Sequence, residues 1–310
     1  MIRKIVFNII IVIAVVFVLD LAIGKTLSYF YFKESSGLHY RTTFSIDSTT
    51  AEVLIFGASR ASHHYVTELF EQNLKMKSYN CGRDGNSILY SYAIFKSAVK
   101  RYDPKILIFD VNPDELSYIT KSYDWLSSLL PYYKTHSEIR SIIELKSYFE
   151  KYKLISKIYP YNSSLLAIAI GNLELNKKRK EDNLGYIPLL NIIDDTILHN
   201  LNSGVNKLDT NKLNAVTDIV QYCATNNISL IFVQSPLYAK VSNTLSIEYF
   251  KKLAKERNVV FLNFINDPEF LKKPELFQDI YHLNDQGAAY FSRLLTQKII
   301  TLTQSQTFPQ

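Results

Sequence analysis

The 310-residue chain carries a net charge of +6 and is 47% hydrophobic and 13% aromatic, enough to build a sizeable core. Nine glycines and nine prolines exclude a fibrous or disordered chain, and two cysteines exclude a disulfide framework or a cysteine metal centre. The basic excess is spread along the chain, with one cluster at Lys177-Lys178-Arg179-Lys180, and reads as a solvated surface. No module presents the basic stripe that a nucleic acid needs, so no nucleic-acid partner is expected.

In chain order, Arg3 and Lys4 precede an apolar run over residues 5–23, broken only by Asn8 and Asp20. That length is close to the roughly 20 residues that span a bilayer as a helix. Leu21-Ala22-Ile23-Gly24-Lys25 is a poor cleavage site, so residues 1–24 read as an uncleaved signal anchor rather than a cleaved signal peptide. The basic flank predicts a cytoplasmic N-terminus and an exported remainder. Asp20 is expected at the far interface, where its charge reaches water. Residues 25–50 then form a tether, and 51–310 the exported domain.

Residues 53–56 read as a buried parallel strand ending in Gly57. Helical spacing follows over 62–76, a short strand over 78–81 and a helix over 88–99. After Pro104, residues 106–111 are a near-continuous apolar strand. Further on come a helix over 211–225, a strand over 228–233, a helix over 246–257, a strand over 259–264 and an amphipathic helix over 285–301. Strands alternating with helices predict an α/β fold, a parallel sheet covered on both faces. Residues 117–209 interrupt the alternation. They hold a tyrosine- and leucine-rich stretch over 123–133, a charged helix over 137–155, an apolar stretch over 163–170 too short to span a membrane, and a basic polar run over 176–183. The interruption reads as an inserted helical cap, with plain packing helices as the alternative.

In parallel sheets, chemistry gathers at the carboxyl ends of the strands. Ser59, Gly82 and Asn112 each lie just past a predicted strand end. Near the C-terminus, Asp279 precedes His282 by three residues, a spacing that lets both side chains face one pocket. A serine hydroxyl is a poor nucleophile until a neighbouring base takes its proton, and that base works best when a third group fixes its tautomer. Ser59, His282 and Asp279 supply those three parts. Arg60, Arg83 and His63 flank the serine and its loop and are candidates for substrate contact. The competing readings are a structural ion pair for Arg60, an Arg83–Asp84 pair, and surface positions for His63 and His64. Cys81 and Cys223 read as two independent thiols. No metal-ligand spacing, phosphate-cradling loop or dinucleotide fingerprint is present, so no cofactor or metal is expected.

Gly57-Ala58-Ser59-Arg60, Asn80-Cys81-Gly82, Asn112 and Asp279-Ile280-Tyr281-His282 together resemble the four blocks of the SGNH/GDSL hydrolase superfamily. The closer resemblance is to membrane-anchored bacterial members that act in acyl transfer and deacylation at the cell envelope. It covers roughly residues 53–301, with the middle insertion outside it. It implies a flavodoxin-like three-layer α/β/α sandwich. It also implies Ser59 as nucleophile, His282 as base and Asp279 as its orienting acid. An oxyanion hole would come from the Ser59 and Gly82 N–H groups and the Asn112 side chain. The glycine that usually stands two before the asparagine is Asp110 here.

Three functions follow as expectations. The first is an esterase or deacylase acting on an acylated carbohydrate or lipid of the envelope. The second is an O-acyltransferase, in which a sugar hydroxyl resolves the same acyl-enzyme. The third is a non-catalytic subunit of an envelope-assembly machine. The expected location is the bacterial cytoplasmic membrane, single-pass, with the catalytic domain periplasmic or extracellular and an envelope-biosynthesis membrane protein as partner.

Overall fold

The strands follow from the apolar runs. In the computed structural model, which describes residues 1–175, 183–194, 197–201 and 207–304, they are β1 (Val53–Phe56), β2 (Ser78–Asn80), β3 (Ile106–Asp110), β4 (His199–Leu201), β5 (Ser229–Gln234), β6 (Ala239–Val241) and β7 (Val260–Asn263). The Lys177–Lys180 cluster lies outside the described residues, as do residues 176–182 of the basic run. The chain divides into two compact units. One comprises Phe44–Trp125 and Asp182–Gln310; the other comprises Met1–Thr43 and Leu126–Glu181.

In the first unit, five strands pair in parallel in the order β2-β1-β3-β5-β7, with Val53 opposite Ile106, Ile106 opposite Ser229 and Ile231 opposite Val260. β4 and β6 form a separate parallel pair. Alternate residues face opposite ways along a strand. Val53, Ile55, Ile106, Ile108, Ile231 and Val233 join a buried cluster with Tyr65, Phe70, Phe291, Leu295 and Ile299. The helices Ser59–His64, Thr67–Leu74 and Asp285–Gln304 therefore cover that face. The intervening residues make the other layer: Phe56 stacks on Phe109, which meets Phe95 and Phe232, and Phe232 packs on Phe250. Helices Ile88–Val99, Thr210–Thr225 and Leu245–Arg257 supply Phe95, Tyr222 and Phe250. Burial on both faces explains why VLIF, ILIFD and SLIFVQ show no polar alternation. The result is a parallel α/β fold. From β1 the chain moves out to β2 and returns past β1 to β3, so the order reverses beside the carboxyl ends of β1 and β3. That is where such sheets open a crevice.

In the second unit, helix Ile2–Lys33 is 32 residues long and includes an 18-residue stretch of mean hydropathy 3.0, none of it buried. It is long and apolar enough to cross a membrane. The residues read as the start of a tether are helical instead: this helix runs on to Lys33, and a second one spans Gly37–Asp47. Helical continuity past Gly24 has a packing cause. A Cβ at Gly24 would stand 2.3 Å from Lys157 Cβ and 2.5 Å from the Lys157 backbone, so the glycine lets that backbone lie on the helix. One turn earlier, Asp20 accepts hydrogen bonds from Lys157 N (2.7 Å), Ile158 N (3.3 Å) and Ser156 Oγ. The buried Tyr31 stacks on His39 and meets Tyr132 and Tyr161. The single charged helix expected over 137–155 is instead broken into Ser137–Ile139, Arg140–Glu144 and Glu150–Lys153. The fully buried Glu150 carboxylate collects Lys146, Lys153 and Tyr159 and so fixes the last of these pieces.

Candidate active site

Gly57 ends β1 with φ +149°, and a Cβ there would stand 2.8 Å from the Asp110 carbonyl oxygen. Only glycine fits both the conformation and the approach. The turn it makes sends Ser59 out as the first residue of helix Ser59–His64, where its N–H is one of the orphan donors at a helix start. The segment before helix Asp285–Gln304 brings in the partners. Ser59 Oγ lies 2.8 Å from His282 Nε2, and His282 Nδ1 lies 3.0 Å from both oxygens of Asp279. A carboxylate only accepts, so Nδ1 carries the proton and Nε2 is left to accept from the Ser59 hydroxyl. Ser59, from early in the sequence, and Asp279 and His282, from near its end, thus meet in one hydrogen-bonded chain.

Asp279 is held by more than the ring. Its Oδ1 accepts from the Tyr281 and His282 N–H groups at 2.7 and 2.9 Å. Partial burial disfavours its charge, but the hydrogen bonds from the His282 ring and from those two N–H groups outweigh it. The carboxyl is held below the usual range and stays ionised beside the imidazole. His63 packs edge-on against the His282 ring, centroids 5.6 Å apart.

The flanking residues depart from expectation. Arg60 is buried, with its guanidinium 3.0 Å from Asp110 and donating to the Val111 and Ser235 carbonyls. It is a structural ion pair and not a substrate contact. His63 and His64 are not surface residues. His63 Nδ1 donates to the Ile187 carbonyl at 2.8 Å, and Nε2 lies 3.2 Å from Asp84. His64 is fully buried: its Nε2 accepts from Leu283 N, so Nδ1 carries the proton and donates to Ser235 Oγ at 2.9 Å. Asp84 thus meets His63, while the Arg83 guanidinium lies over the Tyr90 ring. Cys81 and Cys223 are both buried, and neither is in a disulfide.

The expected oxyanion donors separate. The Gly82 N–H donates to Asn80 Oδ1 at 2.9 Å, so it is already taken up inside the loop, which corrects its assignment as an oxyanion donor. Glycine is still required there, because a Cβ would stand 2.6 Å from Ser62 N and 2.7 Å from Ala61 Cβ. Its role is to let the loop after β2 lie against helix Ser59–His64. Asn112 uses one amide hydrogen on Glu115 Oε2 (2.8 Å) and retains a second. Asn112 and Tyr281 line one cavity of about 280 Å³ with Pro113, Leu201, Leu237 and Val241.

Three supporting residues, Asp110, Ser235 and Glu115, escaped the sequence reading, and a fourth, His64, was expected at the surface. Asp110 joins Arg60, Tyr65 and the Ser235 N–H. Buried Glu115 joins Asn112 to Ile88 N, at the start of the next helix. A carboxylate closing an apolar strand, as Asp110 does, was the one local signal of a buried charge pair. Among the described residues, no three His, Cys, Asp or Glu side chains converge on a metal-sized site. No family model matches this sequence, and no curated protein matches it significantly.

Proposed function

We propose that the chain is a serine esterase or deacylase of the SGNH type. It would be anchored in the bacterial cytoplasmic membrane, with its catalytic unit exported, and act through an acyl-enzyme on an ester-bearing carbohydrate or lipid of the envelope. The observation that carries this reading is the continuous Ser59–His282–Asp279 hydrogen-bonded chain, at 2.8 and 3.0 Å, beside the point where the strand order reverses.

In this mechanism Ser59 Oγ attacks the ester carbonyl while His282 Nε2 takes its proton. Asp279 stabilises the imidazolium that forms. The tetrahedral oxyanion is met by the Ser59 N–H and the second Asn112 amide hydrogen, each contributing on the order of 3 kcal/mol when correctly aimed. His282 then returns its proton to the leaving alcohol oxygen. Water, deprotonated by the same ring, attacks the acyl–Ser59 carbonyl and releases a carboxylic acid and free Ser59. The small, mostly apolar cavity beside Asn112 and Tyr281 suits a short acyl group.

A second reading, transfer of the acyl group to a sugar hydroxyl, is favoured by a larger, more open cavity of about 780 Å³. It shares Val241 with the first and sets Asn200, Lys240, Ser242, Asn266 and Lys272 among the apolar Leu198, Pro268 and Leu271. Those polar groups offer hydrogen-bond partners to a hydroxyl-rich acceptor.

The test is labelling of full-length protein with a fluorophosphonate serine probe, followed by peptide mapping. One adduct, on Ser59, is expected, with none in Ser59→Ala. A folded wild-type protein that takes no label would replace this proposal with a binding role. Addition of a carbohydrate acceptor to the acyl-enzyme separates the two catalytic readings: faster decay means transfer, unchanged decay means hydrolysis.

A further inference from the structure

The unit built from Met1–Thr43 and Leu126–Glu181 holds a cavity of about 250 Å³ that none of the chemistry above uses. One wall is the long N-terminal helix. Leu21, Gly24, Lys25 and Ser28 follow one another along a single face, at spacings of three, four and seven residues from Leu21. These positions lie at the end of the apolar run and just beyond it. At about 1.5 Å per residue the helix is roughly 48 Å long, against about 30 Å of hydrocarbon, so its last turns reach headgroup depth.

The cavity is two-sided in character. Leu21, Phe32, Leu130 and Leu154 make an apolar floor, while Lys25, Lys134 and Lys157 supply positive charge. The Asp20 carboxylate faces Lys134, and its oxygens already accept from Ser156 Oγ, Lys157 N and Ile158 N. Among the described residues, three lysines therefore line the cavity, and the carboxylate that faces Lys134 has its lone pairs largely taken. Lys134 and Lys157 line the same cavity, and the Lys157 charge acts on Lys134. Burial and that neighbouring cation bring Lys134 down to about 8. Two like charges held this close, next to an apolar floor at headgroup depth, are stabilised by an anion carried on an apolar tail.

We infer that this cavity binds the phosphate of an anionic membrane lipid, with Lys25, Lys134 and Lys157 on the phosphate and Leu21 and Leu154 against the first carbons of the acyl chains. The inference rests on the N-terminal helix lying in a membrane and is independent of the reading of Ser59.

The test uses full-length protein in nanodiscs of equal phosphatidylcholine and phosphatidylglycerol, released in a native mass spectrometer that counts co-retained lipids. Wild type is expected to keep one phosphatidylglycerol with about tenfold preference over phosphatidylcholine. Lys134→Gln with Lys157→Gln removes the preference. Lys134→Arg with Lys157→Arg retains it, which shows that charge and not side-chain identity is read. Lys151→Gln, elsewhere in the same unit, leaves it unchanged, and circular dichroism checks that each variant is folded. No preference in wild type, or an undiminished one in the double glutamine variant, overturns the inference. Excess inorganic phosphate separates the sources: retained phosphatidylglycerol supports a lipid occupant, whereas full displacement assigns the cavity to free phosphate instead. Failure of the protein to enter nanodiscs at all overturns the membrane placement.

Discussion

At the scale of single residues, His64 bears on the site without a place in the reacting chain. It ties Leu283, the residue after the proposed base, to Ser235 at the end of β5. Burial, then the nearby Arg60 charge, pushes its pKa well below the ordinary 6.5 and keeps it neutral; His282 and His63 also face it. The unfolded chain takes up a proton below that ordinary value and the folded chain does not. Stability is therefore full above it and falls as pH drops beneath it, with a slope approaching about 1.4 kcal/mol per pH unit until the folded-state pKa is reached. Melting of full-length protein in neutral detergent should show this fall. His64→Gln should melt lower at neutral pH but with a flatter pH dependence; an unchanged dependence sinks the assignment. Ser59, Asp279 and His282 could be read from sequence because each sits in a short local pattern. His64, Asp110, Ser235 and Glu115 could not, because their partners come from separate elements with no fixed spacing.

At the scale of elements, helix Ser59–His64 is short for a physical reason. Its residues and those after it predict one helix over 62–76, yet it ends at His64 and a new one starts at Thr67. Asn80 Nδ2 donates to the Ala61 and Tyr65 carbonyls, and Ile187 N donates to the Ser62 carbonyl, so side-chain and loop donors replace the next helical turn. This places Tyr65 in extended backbone, with its hydroxyl on Asp110. Periodicity cannot reveal such competition, whereas strands buried on both faces announce themselves as unbroken apolar runs. Gly82 lies against the same helix, which gives a discriminating test. Gly82→Ala keeps the backbone N–H, so any loss must come from the Cβ meeting Ser62 N and Ala61. Overpacking of this kind costs about 1–3 kcal/mol. The displaced helix carries Ser59, so probe labelling should slow by about 100-fold, since a misplacement near 1 Å has that effect. Wild-type melting and labelling in this variant would falsify the packing role.

At the scale of the whole molecule, the sequence separates an anchor over 1–24 from a tether and a domain, and reads the 117–209 insertion as a cap on that domain or as plain packing helices. The structure groups the residues into two compact units. Part of the insertion, from Leu126, packs with the N-terminal helix as one unit. Hydropathy marks where a helix becomes apolar, but not which later segment rests on it. Here the determinants are Asp20 and Gly24, a carboxylate and a glycine one turn apart, which hold the backbone at Ser156, Lys157 and Ile158. Two truncations differ by residues 20–24, which include that pair. Removing residues 1–19 leaves the turn at 156–158 its hydrogen-bond acceptor and its glycine surface. Removing residues 1–24 leaves the Lys157 and Ile158 N–H groups without Asp20, a loss of about 1–3 kcal/mol for each group that stays buried. Limited trypsin digestion reads the difference directly, because Lys134, Arg140, Lys146, Lys151, Lys153 and Lys157 are all within the affected segment. Cleavage there should be about tenfold or more faster in the shorter protein, since cleavage of an opened segment follows its equilibrium population. Digestion elsewhere in the chain serves as the internal standard. Equal rates in the two truncations would mean that Asp20 and Gly24 do not hold this unit together, and that the anchor is separable where its hydropathy ends.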